Sequence, residues 1–301
     1  MDVVVTILAF ENYLSSCGYA AGTVASYRVN LAPFMDYLKQ NRIDDLRKVT
    51  VQIIEDYWRQ VMATELATES KALRLRPVKR LFEHLAATHK LLINPAEGIV
   101  ETCRKHRKIG PVLSPQEIET LMAQPDATRR VHLRNRAIME LMYASGIRIN
   151  ELVNLQVDDA DLGEQTVFIG KGKGRKQRVV PMGKKAAEWL GRYLDKIRPA
   201  WLRGEQSRLF LNHHGRAMTG NNVRSFLRRY RLAAGIEKPV SPQTLRRTCA
   251  THLLAAGADI RYVQELLGHS RLVTTQFYTR VLPVQIKATH GKTHPEVGHE
   301  N

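Results

Sequence analysis

Two glycine stops, at Gly257 and Gly268, cut the stretch SPQTLRRTCATHLLAAGADIRYVQELLGHSRLVTTQFY (residues 241–278) into three helical runs, and no other feature narrows the fold as far. Ser241 is a favourable N-cap, and Pro242 fits the first helical position, where no N–H is needed. Leu245, Cys249, His252, Leu253 and Ala256 then recur at roughly helical spacing up to Gly257. Asp259 can cap a second helix with Ile260, Val263, Leu266 and Leu267 on its buried side, and Gly268 ends it. His269 follows that stop, and a third apolar and aromatic run carries Tyr278.

The polar residues at these junctions suggest chemistry. The spacing puts Arg246 in the first turn of its helix, where free N–H groups favour an anion and a guanidinium fork matches two phosphate oxygens. His269, just past a helix end, is placed to face a cleft. Tyr278 is a weak nucleophile at the ordinary phenol pKa of about 10 unless cations stabilise the phenolate. Arginine, histidine and tyrosine converging on one point could attack a phosphodiester. The same spacing also suits a capped three-helix packing unit with a core tyrosine.

A polyanionic substrate agrees with the charge. The 301 residues carry 46 Lys and Arg against 29 Asp and Glu, a formal net charge of +17. That excess points to nucleic acid, although a basic ribosome-associated factor would share it. The 44% hydrophobic content is enough for full cores in two domains. The cysteines, Cys17, Cys103 and Cys249, are few, odd in number and far apart, which argues for a reducing compartment without a disulfide framework or a zinc pattern. No apolar run has membrane-spanning length, and MDVVVTILAF lacks the basic start of a signal peptide, so a cytoplasmic location is expected.

Residues 1–98 read as four helices with no strand signal. Ile7, Leu8, Phe10 and Leu14 mark the first; Tyr27, Leu31, Phe34, Met35 and Leu38 mark the second, with a turn at 20–23 between them. Thr50 can cap a third containing Ile53, Ile54, Tyr57, Trp58 and Val61. The fourth interleaves Lys71, Arg74, Arg76, Lys79 and Arg80 with apolar residues, and Pro77 should kink or restart it. Its basic face could lie along a DNA backbone or simply be solvated. Residues 99–112 read as a short basic linker ending at Gly110-Pro111.

Ser114-Pro115-Gln116-Glu117 is a capping box that opens a second domain. A helix from about Arg130 stops near Gly146, and SGIRINELVNL follows. Arg148 in that segment could be an exposed corner residue, and Glu151 is expected to hold the loop by pairing with backbone or basic neighbours. TVFIGKGKGRKQRVVP (166–181) reads as a β-hairpin around a glycine- and lysine-rich turn whose cations, Lys171, Lys173, Arg175, Lys176 and Arg178, could straddle a DNA groove. It contains no phosphate-binding G-x-x-x-x-G-K-[ST] loop. Helices around 189–194 and 223–232 follow, the second with Arg224, Arg228, Arg229 and Arg231 as a phosphate-contacting stripe. His290 and His294 have i, i+4 spacing, but no third ligand supports a metal.

Leu245-Arg246, then Leu266-Leu267-Gly268-His269, then Tyr278 nine residues after that histidine, form a compound pattern that resembles the C-terminal motif of the tyrosine recombinases, the lambda-integrase family, in its XerC/XerD-like branch. The family's first catalytic arginine lies in a G-x-R-x-x-E-L sequence, which Arg148 matches. Its catalytic lysine lies in a G-K-G turn; Gly172-Lys173-Gly174 keeps the spacing to the second strand, so Lys173 is assigned, with Lys171 the alternative. The one departure is Gln243, which stands where the family has histidine or sometimes lysine.

The resemblance implies a mainly α fold with a small β-sheet or hairpin: an N-terminal helical core-binding (SAM-like) domain at 1–98, the linker, an α+β catalytic domain at 113–290, and a disordered tail at 291–301. It implies a site-specific DNA recombinase or integrase working through a 3′-phosphotyrosyl intermediate, with no metal or nucleotide cofactor. Arg148, Lys173, Arg246, His269 and Tyr278 would be catalytic, with Gln243 in the sixth position. Lys171, Arg175, Lys176, Arg178, Arg224, Arg228, Arg76 and Arg80 would contact DNA. Double-stranded DNA with a specific site is the expected partner, bound as a tetramer on two duplexes, with a second recombinase or accessory protein possible. Such an enzyme would work at the nucleoid and could serve a mobile genetic element or chromosome-dimer resolution. The rival readings are a recombinase-derived DNA-binding protein, inactive or weakened at Gln243, and a type IB topoisomerase.

Overall fold

The structure, a computed structural model, describes residues 1–100, 110–170 and 177–268, and the chain divides into two units, Met1–Arg107 and Lys108–Asn301. Most of the described chain is helical, with one small antiparallel sheet. Among the described residues no helix is long and apolar enough to cross a membrane.

The first unit contains α1 (Val3–Ser16), α2 (Ala21–Gln40), α3 (Val51–Ala63) and α4 (Thr68–Ala87). Local side chains start two of them: Asp2 accepts from Val5 N at 2.9 Å, and Thr50 from Ile53 N at 3.4 Å. Phe10, Leu14, Leu31, Phe34, Ile54, Leu75, Phe82 and Leu85 are fully buried between the helices. Phe34 packs edge-on against Tyr57 and Phe82, with ring centroids 5.0 and 6.2 Å away.

Two expectations are corrected in this unit. The break between the first two helices lies at Gly18, not at 20–23; the Ala20 carbonyl already accepts from Thr23 N and Val24 N. Of the kink or restart expected at Pro77, the restart does not occur, because α4 runs continuously through it. The carbonyl that Pro77 deprives of a partner belongs to Leu73, an exposed residue, so water can take the bond. Pro33 inside α2 frees the Val29 carbonyl in the same way, and there Arg74 Nη1 donates to it at 3.2 Å.

In the second unit the capping box forms as expected: Ser114 Oγ accepts from Glu117 N at 3.1 Å, and Glu117 Oε2 accepts from Ser114 N at 2.6 Å, opening α5 (Pro115–Ala123). The central helix is α6 (Arg130–Ser145), buried almost all round and packed against α8 (Gly183–Lys196) and α11 (Pro242–Ala255). A short α7 (Ile149–Leu152) follows it. Then come β1 (Ala160–Asp161), β2 (Thr166–Ile169) and β3 (Arg178–Pro181), in sheet order β1-β2-β3, with Val167 opposite Val180 and Ile169 opposite Arg178. The expected hairpin is thus β2–β3, and β1 is an addition to it. Val167, Ile169 and Val180 face the core while Phe168 and Val179 face out. After α8 come α9 (Arg198–Trp201), α10 (Gly220–Ala233), α11 and α12 (Ile260–Leu267).

A buried polar cluster ties α6 to its surroundings. Arg134, only 5% exposed, donates to the Leu211 carbonyl at 3.1 Å and to Asn135 Oδ1 at 3.1 and 2.6 Å, and lies over the Trp201 ring. Burial pulls its guanidinium down to about 10, so it stays charged near neutral pH. Asn135 Nδ2 in turn donates to the Tyr230 hydroxyl at 2.9 Å. Asn135→Ala would remove the donor to the buried Tyr230 hydroxyl and leave Arg134 only its bond to the Leu211 carbonyl. It should cost about 2–4 kcal/mol in a urea titration of the protein.

Candidate active site

The end of α6 begins the site. Gly146 takes the left-handed conformation, φ 58°, and its N–H donates to the Met142 carbonyl at 3.1 Å. A Cβ at Gly146 would come within 2.7 Å of Leu267 Cδ2, so glycine serves both the turn and the close packing of α12. The turn delivers Arg148 to the start of α7. Glu151, three residues on, folds back and accepts from Arg148 N at 2.9 Å. Its other oxygen accepts from Arg148 Nη1, also at 2.9 Å. Glu151 therefore holds the loop by backbone and basic partners, as its sequence position suggested.

Arg246 comes from the other side. It is the fifth residue of α11, not in the first turn, and is only 2% exposed. Its guanidinium leaves the helix start and donates from Nη1 to the Gly146 carbonyl and from Nη2 to the Leu267 carbonyl. Arg148 Nη2 donates to the next carbonyl, Gly268, at 2.8 Å, and Arg178 Nε to the preceding one, Leu266, at 3.0 Å. Three guanidinium groups from three elements thus meet three successive carbonyls at the C-terminus of α12. Carbonyls in the last turn of a helix have no partner within it and lie at the negative end of its dipole.

The electrostatics follow from this convergence. Burial alone would push the Glu151 carboxyl up, but hydrogen bonds from Arg178 and Arg148 outweigh it and hold the group at about 2. Beside the site, burial pushes the Cys249 thiol up to about 12, so it packs as a neutral group.

The structure thus brings Arg148 and Arg246 to one point. Gln243 is exposed at the second position of α11, whose cap is Ser241 Oγ accepting from Thr244 N at 3.1 Å. Arg224 and Arg228 lie exposed one turn apart on α10. Arg76 and Arg80 belong to the first unit and are half-buried; Arg80 Nη1 donates to Glu83 at 3.0 Å. Lys171, Lys173, Arg175, Lys176, His269 and Tyr278 lie outside the described residues, as do Cys103, His290 and His294.

Arg178 departs from its expected place on the DNA-facing surface. Its side chain is 13% exposed and grips Glu151 with both terminal nitrogens, at 3.1 and 2.8 Å. The strand's alternation carries the signal for this: Val180 faces the core and Val179 does not, so Arg178, two residues before Val180, also points inward.

The profile of the phage integrase family matches residues 111–284, and that of the phage integrase N-terminal SAM-like domain matches residues 7–89. A tyrosine recombinase XerD of Lacticaseibacillus casei is 37% identical over 291 residues, covering 96% of this chain and 98% of its own. Tyrosine recombinase XerC 2 of Ralstonia nicotianae is 37% identical over 285 residues, covering 92% of this chain and 82% of its own. Among solved structures, the XerH site-specific recombinase bound to its difH substrate before cleavage superposes with a TM-score of 0.70. It is 25% identical, over 85% of this chain and 76% of that one.

The charge on Glu151 sets a pH dependence. Its folded pKa, about 2, lies below its ordinary 4.5, so its stabilising contribution is complete above about pH 4.5 and is lost as pH falls toward 2. Glu151→Gln should therefore be less stable than the parent at pH 6 by roughly 3 kcal/mol. That gap should close between pH 4.5 and 2 in acid-titrated denaturation curves.

Proposed function

Since the chain belongs to the phage integrase family and is a tyrosine-type site-specific DNA recombinase, we propose that it cuts and rejoins duplex DNA through a phosphotyrosine formed by Tyr278. The observation that carries this reading is the meeting of Arg148 and Arg246, 98 positions apart in sequence, on the consecutive carbonyls of Gly268 and Leu267. Two guanidinium groups fixed beside one helix end form a clamp for the non-bridging oxygens of a phosphodiester. His269 is the next residue in the chain.

In this mechanism the Tyr278 oxygen attacks phosphorus and the bond to the 5′-oxygen breaks. The tyrosine proton passes to His269, and Lys173 protonates the leaving 5′-oxygen. Arg148 and Arg246 stabilise the charge that develops on the phosphoryl oxygens. The 5′-hydroxyl of the partner strand then displaces the tyrosine. The bond energy is kept in the covalent intermediate, so no nucleotide hydrolysis is required.

Two duplexes cut in turn require four protomers, so the working assembly is a tetramer on paired sites. Such an enzyme acts at the nucleoid. Arg224 and Arg228 on α10, together with Lys171, Arg175 and Lys176 of the hairpin turn, supply phosphate contacts. Arg76 and Arg80 do the same from the N-terminal unit, residues 1–98 by this reading, joined by the 99–112 segment to a catalytic domain at 113–290.

Gln243 favours a second reading, a weakened enzyme that chiefly binds its site. Its amide can donate to a phosphate oxygen but cannot carry a charge or exchange a proton. The experiment uses a nicked suicide duplex carrying a site selected from a random library by the Tyr278→Phe protein. The parent protein should give a denaturant-resistant DNA adduct and Tyr278→Phe none; binding without an adduct from either would establish the second reading. Gln243→His should raise the single-turnover cleavage rate by on the order of tenfold. An unchanged or lower rate would mean that glutamine is adapted to its place.

A further inference from the structure

We infer that Arg178 is a positioning residue for strand cleavage, locking Glu151, and through it Arg148, against the end of the helix that precedes His269. The inference rests on the recombinase reading and adds to it a group that never touches DNA.

The geometry is a closed circuit. Glu151 is saturated: Oε1 accepts from Arg148 Nη1 at 2.9 Å and Arg178 Nη1 at 3.1 Å, and Oε2 from Arg148 N at 2.9 Å and Arg178 Nη2 at 2.8 Å. Arg148 closes one side through Gly268 and Arg178 the other through Leu266, two residues earlier on the same helix end. The Glu151 side chain is 3% exposed, so it cannot keep its charge by turning to water. Among the described residues, the charged groups that hold it are Arg148 from the α6–α7 corner and Arg178 from β3. From α12 the circuit takes only carbonyls, and Arg246 on α11 is engaged with Gly146 and Leu267.

Gly268 gives independent support. Its backbone is left-handed, φ 59°, and a Cβ there would lie 3.1 Å from Arg178 Nη1 and 3.2 Å from its Cζ. A side chain at this left-handed position would have to push the guanidinium back by a few tenths of an ångström. Each guanidinium nitrogen of Arg178 already donates inside the protein, which distinguishes it from the exposed Arg224 and Arg228 of α10. Without Arg178, Glu151 would keep one cationic partner for a buried charge, and the Arg148 fork would lose the anchor that fixes its angle.

The test compares the parent, Arg178→Met, Arg178→Lys, Glu151→Gln and the Arg178→Met/Glu151→Gln double variant on the nicked suicide duplex, with melting temperatures as the check on folding. At saturating protein, Arg178→Met should slow adduct formation by on the order of 100-fold, the scale of a misplaced catalytic group. Site affinity and the salt dependence of binding should stay within about threefold of the parent, because no phosphate contact is lost. Arg178→Lys, which keeps the charge and one donor nitrogen but not the fork, should recover part of the rate. The double variant should be no slower than the worse single one, since both changes break the same circuit. A drop in affinity with a shallower salt slope and an unchanged saturated rate would make Arg178 a DNA contact. Additive losses in the double variant would overturn the coupling through Glu151. A parent protein that forms no adduct would instead sink the recombinase reading, and this inference with it.

Discussion

The carbonyl end of α12 is the constraint on which the catalytic unit depends. A helix leaves its last carbonyls without internal partners, and in a packed interior those groups must find donors elsewhere. Here the donors are guanidinium groups: Arg178 on Leu266, Arg246 on Leu267 and Arg148 on Gly268. Each arrives from a different element, so one helix end sets the relative positions of β3, α11 and the α6–α7 corner. Arg246, 2% exposed, also reaches the Gly146 carbonyl, so the ends of α6 and α12 are joined through a single side chain. Arginine suits this role because its planar fork can bond two groups at fixed angles, which an ammonium cannot do.

The cluster is electrically unbalanced. Three guanidinium charges face one carboxylate, Glu151, and the fractional negative charge of a helix terminus, about half a unit. Burial alone would raise the carboxylate, but hydrogen bonds from Arg178 and Arg148 favour its charged form and hold it near 2. Among the described residues of the circuit, positive charge exceeds negative at the end of α12. Such a surplus, held in place by backbone carbonyls, favours negative charge beside it on electrostatic grounds alone.

What could be read from the sequence was local. The caps at Thr50, Ser114, Ser241 and Asp259 and the stops at Gly146, Gly257 and Gly268 depend on neighbours within four residues, and all are present. Arg148 was placed by the short turn after Gly146, and Glu151 by its three-residue reach back to Arg148. The features missed depend on distant partners. Arg246 was read at the helix start, yet its destinations lie 100 and 21 residues away in sequence. Arg134, which the sequence reading did not single out, is buried against Trp201 and the Leu211 carbonyl, 67 and 77 residues away. β1 is too short, at two residues, to show a period. Arg178 could have been found, because β3 alternates cleanly, but its lysine- and arginine-rich neighbours made it look like surface.

The same distinction between charge and freedom applies to the first unit. Lys71, Arg74 and Lys79 read as part of a basic face that could lie along a DNA backbone or be solvated, and each donates to a backbone carbonyl: Met62 at 2.8 Å, Val29 at 3.2 Å and Ile99 at 2.8 Å. A carbonyl satisfies a donor without cancelling its charge, so the positive field of α4 survives these bonds. What changes is the entropy. A free lysine or arginine gives up as much as about 2 kcal/mol of rotamer freedom when it is fixed against a ligand. A side chain already tied to its own backbone has given up much of that before binding. The Val29 carbonyl that Arg74 uses is one that Pro33 leaves without its helical donor.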